Sequence, residues 1–339
     1  MRADRKKYLV YLAAACVLYG CTGSGGGGRS EKTVPEFVFT YAENQADDYP
    51  TSQAAYRFAE LVKKKTDGRI EIQVKTGAAL GDEKAILEQM QFGGIDFARV
   101  SLSPLSEIVP QMNILQMPYI YTGRTHMWNV LDGEIGDAFM EFFQDAELVP
   151  LSWYDAGARS FYTSEIPIYK LEDIEGLKIR VQQSRLMMDT IEILGGEAVP
   201  MKYEDVYSAI QKGEVDGAEN NWPTYESEQH YKVAKYFTLD EHTRVPELQL
   251  ASRATWNKLS ESDQEVIRQC AEESAEYQRK LWTEREKTAE QKVRREGCQV
   301  IELSEAEKLR FRQAVMPIYE KYCAGYMDLV EQIREAGEK

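Results

Sequence analysis

Apolar residues recur along this chain with two periods, one of two residues and one of three to four. A period of two with aromatic and β-branched residues predicts strands, and a period near 3.6 predicts amphipathic helices. In the first third we predict strands at 37–42, 70–74 and 95–100 and helices at 50–65 and 82–91. This alternation of strands and helices is typical of a parallel sheet with crossover helices.

The alternation then repeats in a second stretch of the chain. We predict strands at 149–154, 177–181 and 215–218, a short extended piece at 198–200, and helices at 184–194 and 203–212. The second α/β unit therefore occupies roughly residues 156–245. A chain of 339 residues with 43% hydrophobic residues is long and apolar enough for two cores.

The C-terminal part of the chain is predicted to be mostly helical. Residues 262–265 (SDQE) form a capping box, and an apolar stripe at three- and four-residue spacing follows it. This helix runs past thirty residues, which is long enough to span both α/β units and brace them. Residues 304–336 predict more helix, broken at Pro317.

The start of the chain indicates export from the cytoplasm. Basic residues at positions 2–7 precede a short apolar run, which predicts a signal peptide at 1–20. The run ends in Leu-Tyr-Gly-Cys21, which resembles a bacterial lipobox, so we expect lipid anchoring at Cys21 with an incidental cysteine as the alternative. Residues 21–35, which are rich in glycine, predict a flexible tether.

Charge and composition exclude several functions. The net charge of −15 disfavours nucleic acid as a partner, and any anion site must be a local cluster of basic residues. Cys270, Cys298 and Cys323 are widely spaced, and we expect them to be small buried hydrophobes. Because no nucleophile motif, metal motif or phosphate loop occurs, we expect no catalysis, no metal and no cofactor.

One segment stands out as a candidate binding site. The strand predicted at 215–218 delivers Glu219, Asn220 and Trp222 to its carboxyl end, where open α/β sheets bind ligands. Arg180 lies on the short apolar strand at 177–181, and a guanidinium there requires an anionic partner. The residues alone leave two partners open, an anionic ligand or an internal Asp or Glu.

Several spaced motifs occur along the chain: GAALGDE at 77–83, GIDF at 94–97, MPY at 117–119, GLKIR at 176–180, VYSA at 206–209 and VDGAEN at 215–220. Together they resemble the solute-binding proteins of tripartite ATP-independent periplasmic (TRAP) transporters of the dicarboxylate-binding type. The resemblance implies a two-lobed, periplasmic-binding-protein-like α/β fold with the long helix bracing both lobes. Residues 36–157 plus 246–285 would form lobe 1, and 158–245 plus 286–339 would form lobe 2.

The resemblance also implies roles for particular side chains. Arg180 would pair with the ligand carboxylate, and Arg159 would donate to the same group. Asn220 would donate and accept hydrogen bonds, and Tyr203 would pack on the ligand. The alternatives are a surface arginine at a hinge for Arg159 and a core tyrosine for Tyr203.

Selectivity beyond the carboxylate should come from other residues around the cleft. The candidates are Glu43, Asn44, Arg99, Ser101, Trp222, Glu219 and His242. Arg99 and Asn44 suggest a second polar or anionic end of the ligand, and Trp222 can lie on the apolar face of a sugar ring. We therefore favour a sugar acid such as a uronate over a C4-dicarboxylate.

These expectations define a function and its alternatives. The protein would be an extracytoplasmic, lipid-anchored monomer that captures an organic acid and delivers it to the small and large membrane subunits of a TRAP carrier. The alternatives are a binding protein that serves a sensor kinase or chemoreceptor, an ABC-type binding protein, and an extracellular carbohydrate-active enzyme.

Overall fold

Two β-sheets organise the part of the chain described by the computed structural model, residues 34–337. The predicted signal peptide at 1–20, Cys21 and nearly all of the predicted tether lie outside the described residues. Among the helices of the described part, none is both long enough and apolar enough to cross a membrane.

The strands that the sequence predicts lie close to their expected positions. In chain order they are β1 (Phe37–Ala42), β2 (Ile70–Lys75), β3 (Phe97–Ser101), β4 (Leu148–Tyr154), β5 (Ala158–Thr163), β6 (Lys178–Val181), β7 (Glu197–Pro200), β8 (Gly217–Asn220), β9 (Tyr236–Arg244), β10 (Glu247–Ser252) and β11 (Gln299–Glu302). Strand β8 begins two residues later than predicted, so Glu219 and Asn220 belong to the strand itself.

The helices in chain order are α1 (Pro50–Lys65), α2 (Glu83–Gln91), α3 (Leu102–Leu105), α4 (Arg124–Leu131), α5 (Glu134–Met140), α6 (Arg185–Ile193), α7 (Val206–Lys212), α8 (Trp222–Ser227), α9 (Arg253–Trp256), α10 (Glu261–Arg295), α11 (Glu305–Ala314), α12 (Met316–Tyr322) and α13 (Met327–Glu335). Short 3-10 helices lie at Pro110–Gln116, Glu141–Phe143, Leu171–Ile174, Tyr203–Asp205 and His230–Lys232. Pro317 lies in the first turn of α12, which confirms the predicted break.

Each sheet combines a parallel part, which the alternation predicts, with antiparallel strands, which it does not. The first sheet has the order β2-β1-β3-β10-β4, with β1, β2 and β3 parallel and β10 antiparallel to both of its neighbours. The second has the order β11-β9-β5-β8-β6-β7, with β6, β7 and β8 parallel. The antiparallel strands β5 and β9 pair with each other beside β8.

The chain crosses between the two sheets at two short segments. Residues 155–157 join β4 to β5, and residues 245–246 join β9 to β10. Helix α10 is the third connection, since it packs against α1 and β4 beside the first sheet and against α8 beside the second. Its 35 residues confirm the predicted long helix, although the capping side chain is that of Ser260, which accepts from the Asp263 amide.

The crossing at 155–157 is held against α10 by specific contacts. Gln278 accepts a hydrogen bond from the Asp155 amide at 2.9 Å and donates to the Asp155 carbonyl at 2.7 Å. Gly157 has a φ of +65°, and a Cβ there would lie 2.6 Å from a carboxylate oxygen of Glu286 and 3.1 Å from Nε1 of Trp282. The positive φ therefore favours glycine here, and the approach of α10 leaves little room for a Cβ.

The cores lie on both sides of the sheets and include the three C-terminal cysteines. Cys270, Cys298 and Cys323 are free thiols with buried side chains, which confirms their predicted role as small hydrophobes. Burial raises the pKa of the Cys270 and Cys323 thiols to about 11. At neutral pH these thiols are therefore neutral and unreactive.

Candidate ligand-binding site

A polar cavity of about 50 Å³ lies between the two sheets. One water needs roughly 10–15 Å³, so the cavity accommodates several water-sized groups. Its lining comes from both sheets: Asn44, Gln45, Tyr49, Asp82, Glu83, Lys84, Arg99, Pro104 and Glu247 on one side, and Arg159, Arg180, Gln182, Gln183, Met201, Lys202, Tyr203, Asn220, Asn221 and Thr224 on the other.

Arg180 is a buried guanidinium without a carboxylate partner among residues 34–337. Strand β6 lies between β7 and β8, and the side chain of Arg180 is only 2% exposed. Its Nε and Nη2 donate to the carbonyl of Met201 at 3.2 and 2.8 Å, and none of the hydrogen bonds formed by the described residues uses Nη1. The cationic group therefore faces the cavity with a donor still available.

The environment of Arg180 is costly for a cation. Burial lowers the pKa of Arg180 below its usual value, and the neighbouring Arg159 adds to this effect, whereas Tyr162 and Glu219 oppose it. A desolvated charge needs a paired charge and hydrogen bonds to offset its loss of hydration. An anion that enters the cavity supplies both, and a carboxylate matches the planar guanidinium best.

Arg159 lies beside Arg180 but already has a counter-ion. Its Nε and Nη2 donate to the two carboxylate oxygens of Glu219 at 2.5 and 2.8 Å, and Nη1 donates to Oδ1 of Asn220 at 3.0 Å. The bidentate pair fixes the guanidinium on strand β5 next to β8. No hydrogen bond formed within residues 34–337 uses Nδ2 of Asn220, so its amide remains a donor at the cavity wall.

A histidine and an aspartate support this pair from behind. Nε2 of His242 lies 3.5 Å from Glu219, and its Nδ1 lies 2.8 Å from Asp240. Burial alone would lower the pKa of His242, but the carboxylates of Asp240 and Glu219 raise it to about 9. Burial likewise opposes ionisation of Glu219, but Arg159 and His242 lower its pKa to about 2. At neutral pH Arg159 and His242 are therefore both charged and both pair with the ionised Glu219 carboxylate.

The opposite wall of the cavity contains a second buried arginine in a different setting. Arg99 on β3 is 1% exposed and donates to Glu43, to Glu83 at 2.8 Å and to Glu247 at 3.1 Å. It also donates to Oδ1 of Asn44. Three carboxyl groups surround one guanidinium, so this wall offers no net positive charge to an anion.

Two tyrosine hydroxyls form hydrogen bonds across the cavity from one side to the other. The hydroxyl of Tyr203 donates to Oε1 of Gln45 at 2.7 Å. The hydroxyl of Tyr49 lies 3.0 Å from Oγ1 of Thr224. These bonds join the loop after β1 and the start of α1 to the segment after β7 and to α8.

The structure brings six of the predicted ligand-binding residues to the cavity wall: Arg180, Arg159, Asn220, Tyr203, Asn44 and Arg99. The other five predicted residues lie outside the lining. Glu43 and Glu219 hold Arg99 and Arg159 from behind, and His242 supports Glu219. Ser101 caps α3 with its side chain, and its hydroxyl is 3.5 Å from Oε1 of Gln182, which does line the cavity.

Trp222 differs most from its expected place. The sequence suggests that it covers a sugar ring, but its ring stacks on Phe237 with centroids 3.8 Å apart, in the core beside the second sheet. The reason is local: Asn221 caps α8 and accepts from the Thr224 amide, so the helix starts at Trp222 and turns its side chain into the core.

Sequence reasoning did not select several lining residues. Gln45 and Tyr49 lie in the loop before α1, where polar residues carry no distinctive pattern. Met201 contributes its backbone carbonyl, which no side-chain motif reveals. Glu247 follows Pro246 at the start of an antiparallel strand that was not predicted, so its position opposite Arg99 could not be inferred.

Comparison with known proteins identifies the family. The family described as bacterial extracellular solute-binding protein, family 7 (DctP), matches residues 41–325. The chain belongs to this family. A solute-binding protein of Chromohalobacter salexigens is 40% identical over 281 residues, which is 83% of this chain and 83% of the relative.

Solved structures agree with this membership. A TRAP periplasmic solute-binding protein from Bradyrhizobium, in complex with galacturonate, superposes with a TM-score of 0.85 at 39% identity and covers 88% of this chain and 99% of its own. One from Chromohalobacter salexigens, with bound D-glucuronate, gives 0.85 at 38% identity with the same coverage. The protein is thus a TRAP-type solute-binding protein and not an enzyme, and the predicted family and fold class are confirmed.

Proposed function

We propose that this solute-binding protein captures a sugar acid of the uronate type, such as galacturonate or glucuronate. The observation that carries the proposal is the buried Arg180, whose guanidinium has no carboxylate partner among residues 34–337 and lines the cavity. The uronates bound by the structural neighbours from Bradyrhizobium and Chromohalobacter salexigens support the choice of ligand.

In this proposal the ligand carboxylate binds on the side of the cavity lined by Arg180, Arg159 and Asn220, which we call the Arg180 wall. Arg180 donates from the edge of its guanidinium that Met201 leaves free, and Asn220 adds an amide donor beside it. Arg159 holds Asn220 in place through Nη1 and contributes a second positive charge that Glu219 largely offsets. The pairing is strengthened because the Arg180 side is buried and is poorly screened by solvent.

The hydroxyl groups of the ligand bind on the opposite side, the Arg99 wall, which is lined by Arg99 and its neighbours from the first sheet. Glu83 and Glu247 are carboxyl groups at the lining, and Asn44 and Gln45 add amides, which together suit the hydroxyls of a sugar. A second carboxylate would meet three glutamates around a single arginine and be repelled. This charge arrangement favours a hydroxylated monocarboxylate over a C4-dicarboxylate.

Binding proceeds by closure of two lobes about the crossings at 155–157 and 245–246. We assign residues 36–157 plus 246–285 to one lobe and residues 158–245 plus 286–339 to the other, with α10 bracing both. Closure brings Tyr203 to Gln45 and Lys202 to Asp82, whose Nζ and Oδ2 lie 3.0 Å apart at the cavity edge. Ligand stabilises the closed form because only that form contacts it from both sides.

In the cell, the closed monomer delivers its ligand to the small and large membrane subunits of a TRAP carrier. The protein works outside the cytoplasm, tethered through a lipid on Cys21. This anchoring is tested with Cys21→Ala, which releases the protein into the soluble fraction on cell fractionation. Continued association of the variant with membranes contradicts lipid attachment at that residue.

The ligand class is tested by thermal unfolding in the presence of excess D-galacturonate, D-glucuronate, succinate or D-galactose. Mass action raises the melting temperature for a ligand that binds only the folded protein. We expect a rise with one or both uronates, and none with neutral galactose, which lacks the carboxylate. A rise with succinate and none with any sugar acid would overturn the proposal.

A further inference from the structure

Glu247 is a cavity residue that no predicted motif contains and whose hydrogen bonding is incomplete. It is 8% exposed and lines the cavity beside Arg99. Its Oε1 accepts from Nη1 of Arg99 at 3.1 Å, whereas its buried Oε2 forms no hydrogen bond with any of residues 34–337. An unpaired buried polar atom is costly, so a partner is expected when the cavity is occupied.

The charges around Glu247 are unbalanced. Arg99 approaches from β3, Glu43 from the end of β1 and Glu83 from the first turn of α2, so three carboxyl groups share one guanidinium. Arg159 on β5 is the other cation that acts on Glu247, and it already pairs with a carboxylate of its own sheet.

Two tyrosine hydroxyls are further titratable neighbours of Glu247. Tyr154 on β4 is its cross-strand partner, and Tyr49 lines the cavity beside it. Burial raises the pKa of both hydroxyls, so both are neutral. Burial, and after it the carboxylates of Glu83 and Glu43, raise the pKa of Glu247 to about 8, although Arg99 opposes them. Since Arg99 donates to Oε1, the proton of the neutral form is carried by Oε2.

We propose that Glu247 is a specificity-determining residue that binds the ligand in its neutral form, with Oε2–H donating to a hydroxyl oxygen of the sugar acid. The proposal rests on the proposed function, because it assumes a hydroxylated carboxylate in this cavity. The ligand hydroxyl is then the hydrogen-bond partner that Oε2 of Glu247 lacks among residues 34–337.

The arrangement couples binding to a proton. An anionic ligand adds negative charge to the cavity and so disfavours ionisation of Glu247. By linkage, binding takes up a proton when the pH is near the pKa of Glu247, and affinity falls as the pH rises through that range. Repulsion between two like charges in a partly polar interior predicts a loss of about tenfold between pH 7 and 9.5.

The proton is measured directly by titration calorimetry of the wild-type protein with D-galacturonate at pH 8, in two buffers with different ionisation enthalpies. The ligand carboxyl is ionised throughout this range and contributes no proton. We expect uptake of a fraction of a proton for each ligand bound. Zero uptake, or release of protons, would overturn the assignment of a neutral Glu247.

Two variants assign the proton to a residue. For Glu247→Gln, we expect the slope of log Kd against pH between 7 and 9.5 to be lost, so that at pH 9.5 the variant binds more tightly than the wild type. For His242→Gln we expect the slope to persist. The reverse pattern would place the proton on His242 and refute the proposal. A third variant, Glu247→Leu, cannot donate a hydrogen bond and should weaken binding at pH 7.

These measurements distinguish a wrong ligand class from a wrong role for Glu247. If wild-type protein does not bind galacturonate or glucuronate at pH 6.5, the proposed ligand class is wrong. If it binds with the same affinity from pH 7 to 9.5 and without proton uptake, the ligand class stands and the role of Glu247 is wrong. Thermal unfolding of each variant without ligand confirms that it is folded.

Discussion

Arg180 and Arg99 are the same residue type, on central strands of the two sheets, and both are almost fully buried, at 2% and 1% exposure. Arg99 contacts three carboxyl groups, whereas Arg180 contacts a single backbone carbonyl. Burial of a cation is therefore offset within the protein at one wall and left to the ligand at the other. The difference shows that the pairing of a buried charge, rather than its residue type, indicates where an anion binds.

The largest effect expected from this comparison is on stability. Arg99→Met leaves three buried carboxyl groups without a cation and should lower the free energy of unfolding by about 3–5 kcal/mol. Arg180→Met removes a cation that no carboxylate offsets, so the loss should stay below about 1 kcal/mol despite the lost bonds to Met201. Urea unfolding of both variants without ligand measures the contrast, and equal losses would contradict the assigned difference.

Ligand affinity, unlike stability, should depend strongly on Arg180. Arg180→Lys replaces a bidentate fork by a point charge and should weaken uronate binding by about 100-fold or more. The matched control is Arg295→Lys, an exposed position near the end of α10, which should bind as the wild type does. Titration calorimetry measures both, and near-normal affinity in Arg180→Lys is incompatible with its role as carboxylate receptor.

Stability should depend on pH through one buried group on each side of the cavity, Glu247 beside Arg99 and His242 behind Arg159. The pKa of Glu247 is raised to about 8 and that of His242 to about 9. A raised pKa contributes stability that is present below the pKa of the unfolded chain and lost as the pH rises through the folded value. Stability should therefore fall between pH 5 and 9, because both groups lose their protons in the folded protein over this range.

Unfolding curves of the wild type and two variants at several pH values test this expectation. Glu247→Gln should remove the part of the decrease between about pH 4.5 and 8, and His242→Gln the part between about 6.5 and 9. A wild-type stability that is constant or rises over this range would show that neither group holds its proton as described.

The smallest effect concerns the bonds that close the cavity. Tyr203→Phe removes the hydroxyl that donates to Gln45 and should weaken ligand binding by about two- to tenfold, the worth of one hydrogen bond. Tyr277→Phe on α10, where the ring is 38% exposed, is the control and should have no effect. Equal affinities of wild type and Tyr203→Phe would show that this bond does not contribute to ligand binding.

The sequence predicts the parallel parts of the fold well because strong periodicity marks them. Helices α1 and α2, the long α10 and the strands β1, β2 and β6 follow from apolar spacing and from glycine, proline and capping signals. Strands β5, β9, β10 and β11 were not predicted, since their pairing is set by partners distant in sequence. The helices between β3 and β4 were also missed, because their short lengths leave little periodicity.

The candidate site was predicted as far as motifs extend. Arg180 and Asn220 were placed by the spacing of two motifs, and both line the cavity. Glu247 was not selected, because its position opposite Arg99 depends on an antiparallel pairing of β10 with β3. Trp222 was expected at the ligand but lies in the core, since the start of α8 directs its side chain away from the cavity.

A crystal structure of the protein with D-galacturonate bound would show directly whether Arg180 receives the ligand carboxylate. The ligand carboxylate should lie within about 3 Å of the Arg180 guanidinium, with the sugar hydroxyls towards Arg99 and Glu247. A carboxylate bound at Arg99 instead, with Arg180 making no contact to the ligand, would contradict the account.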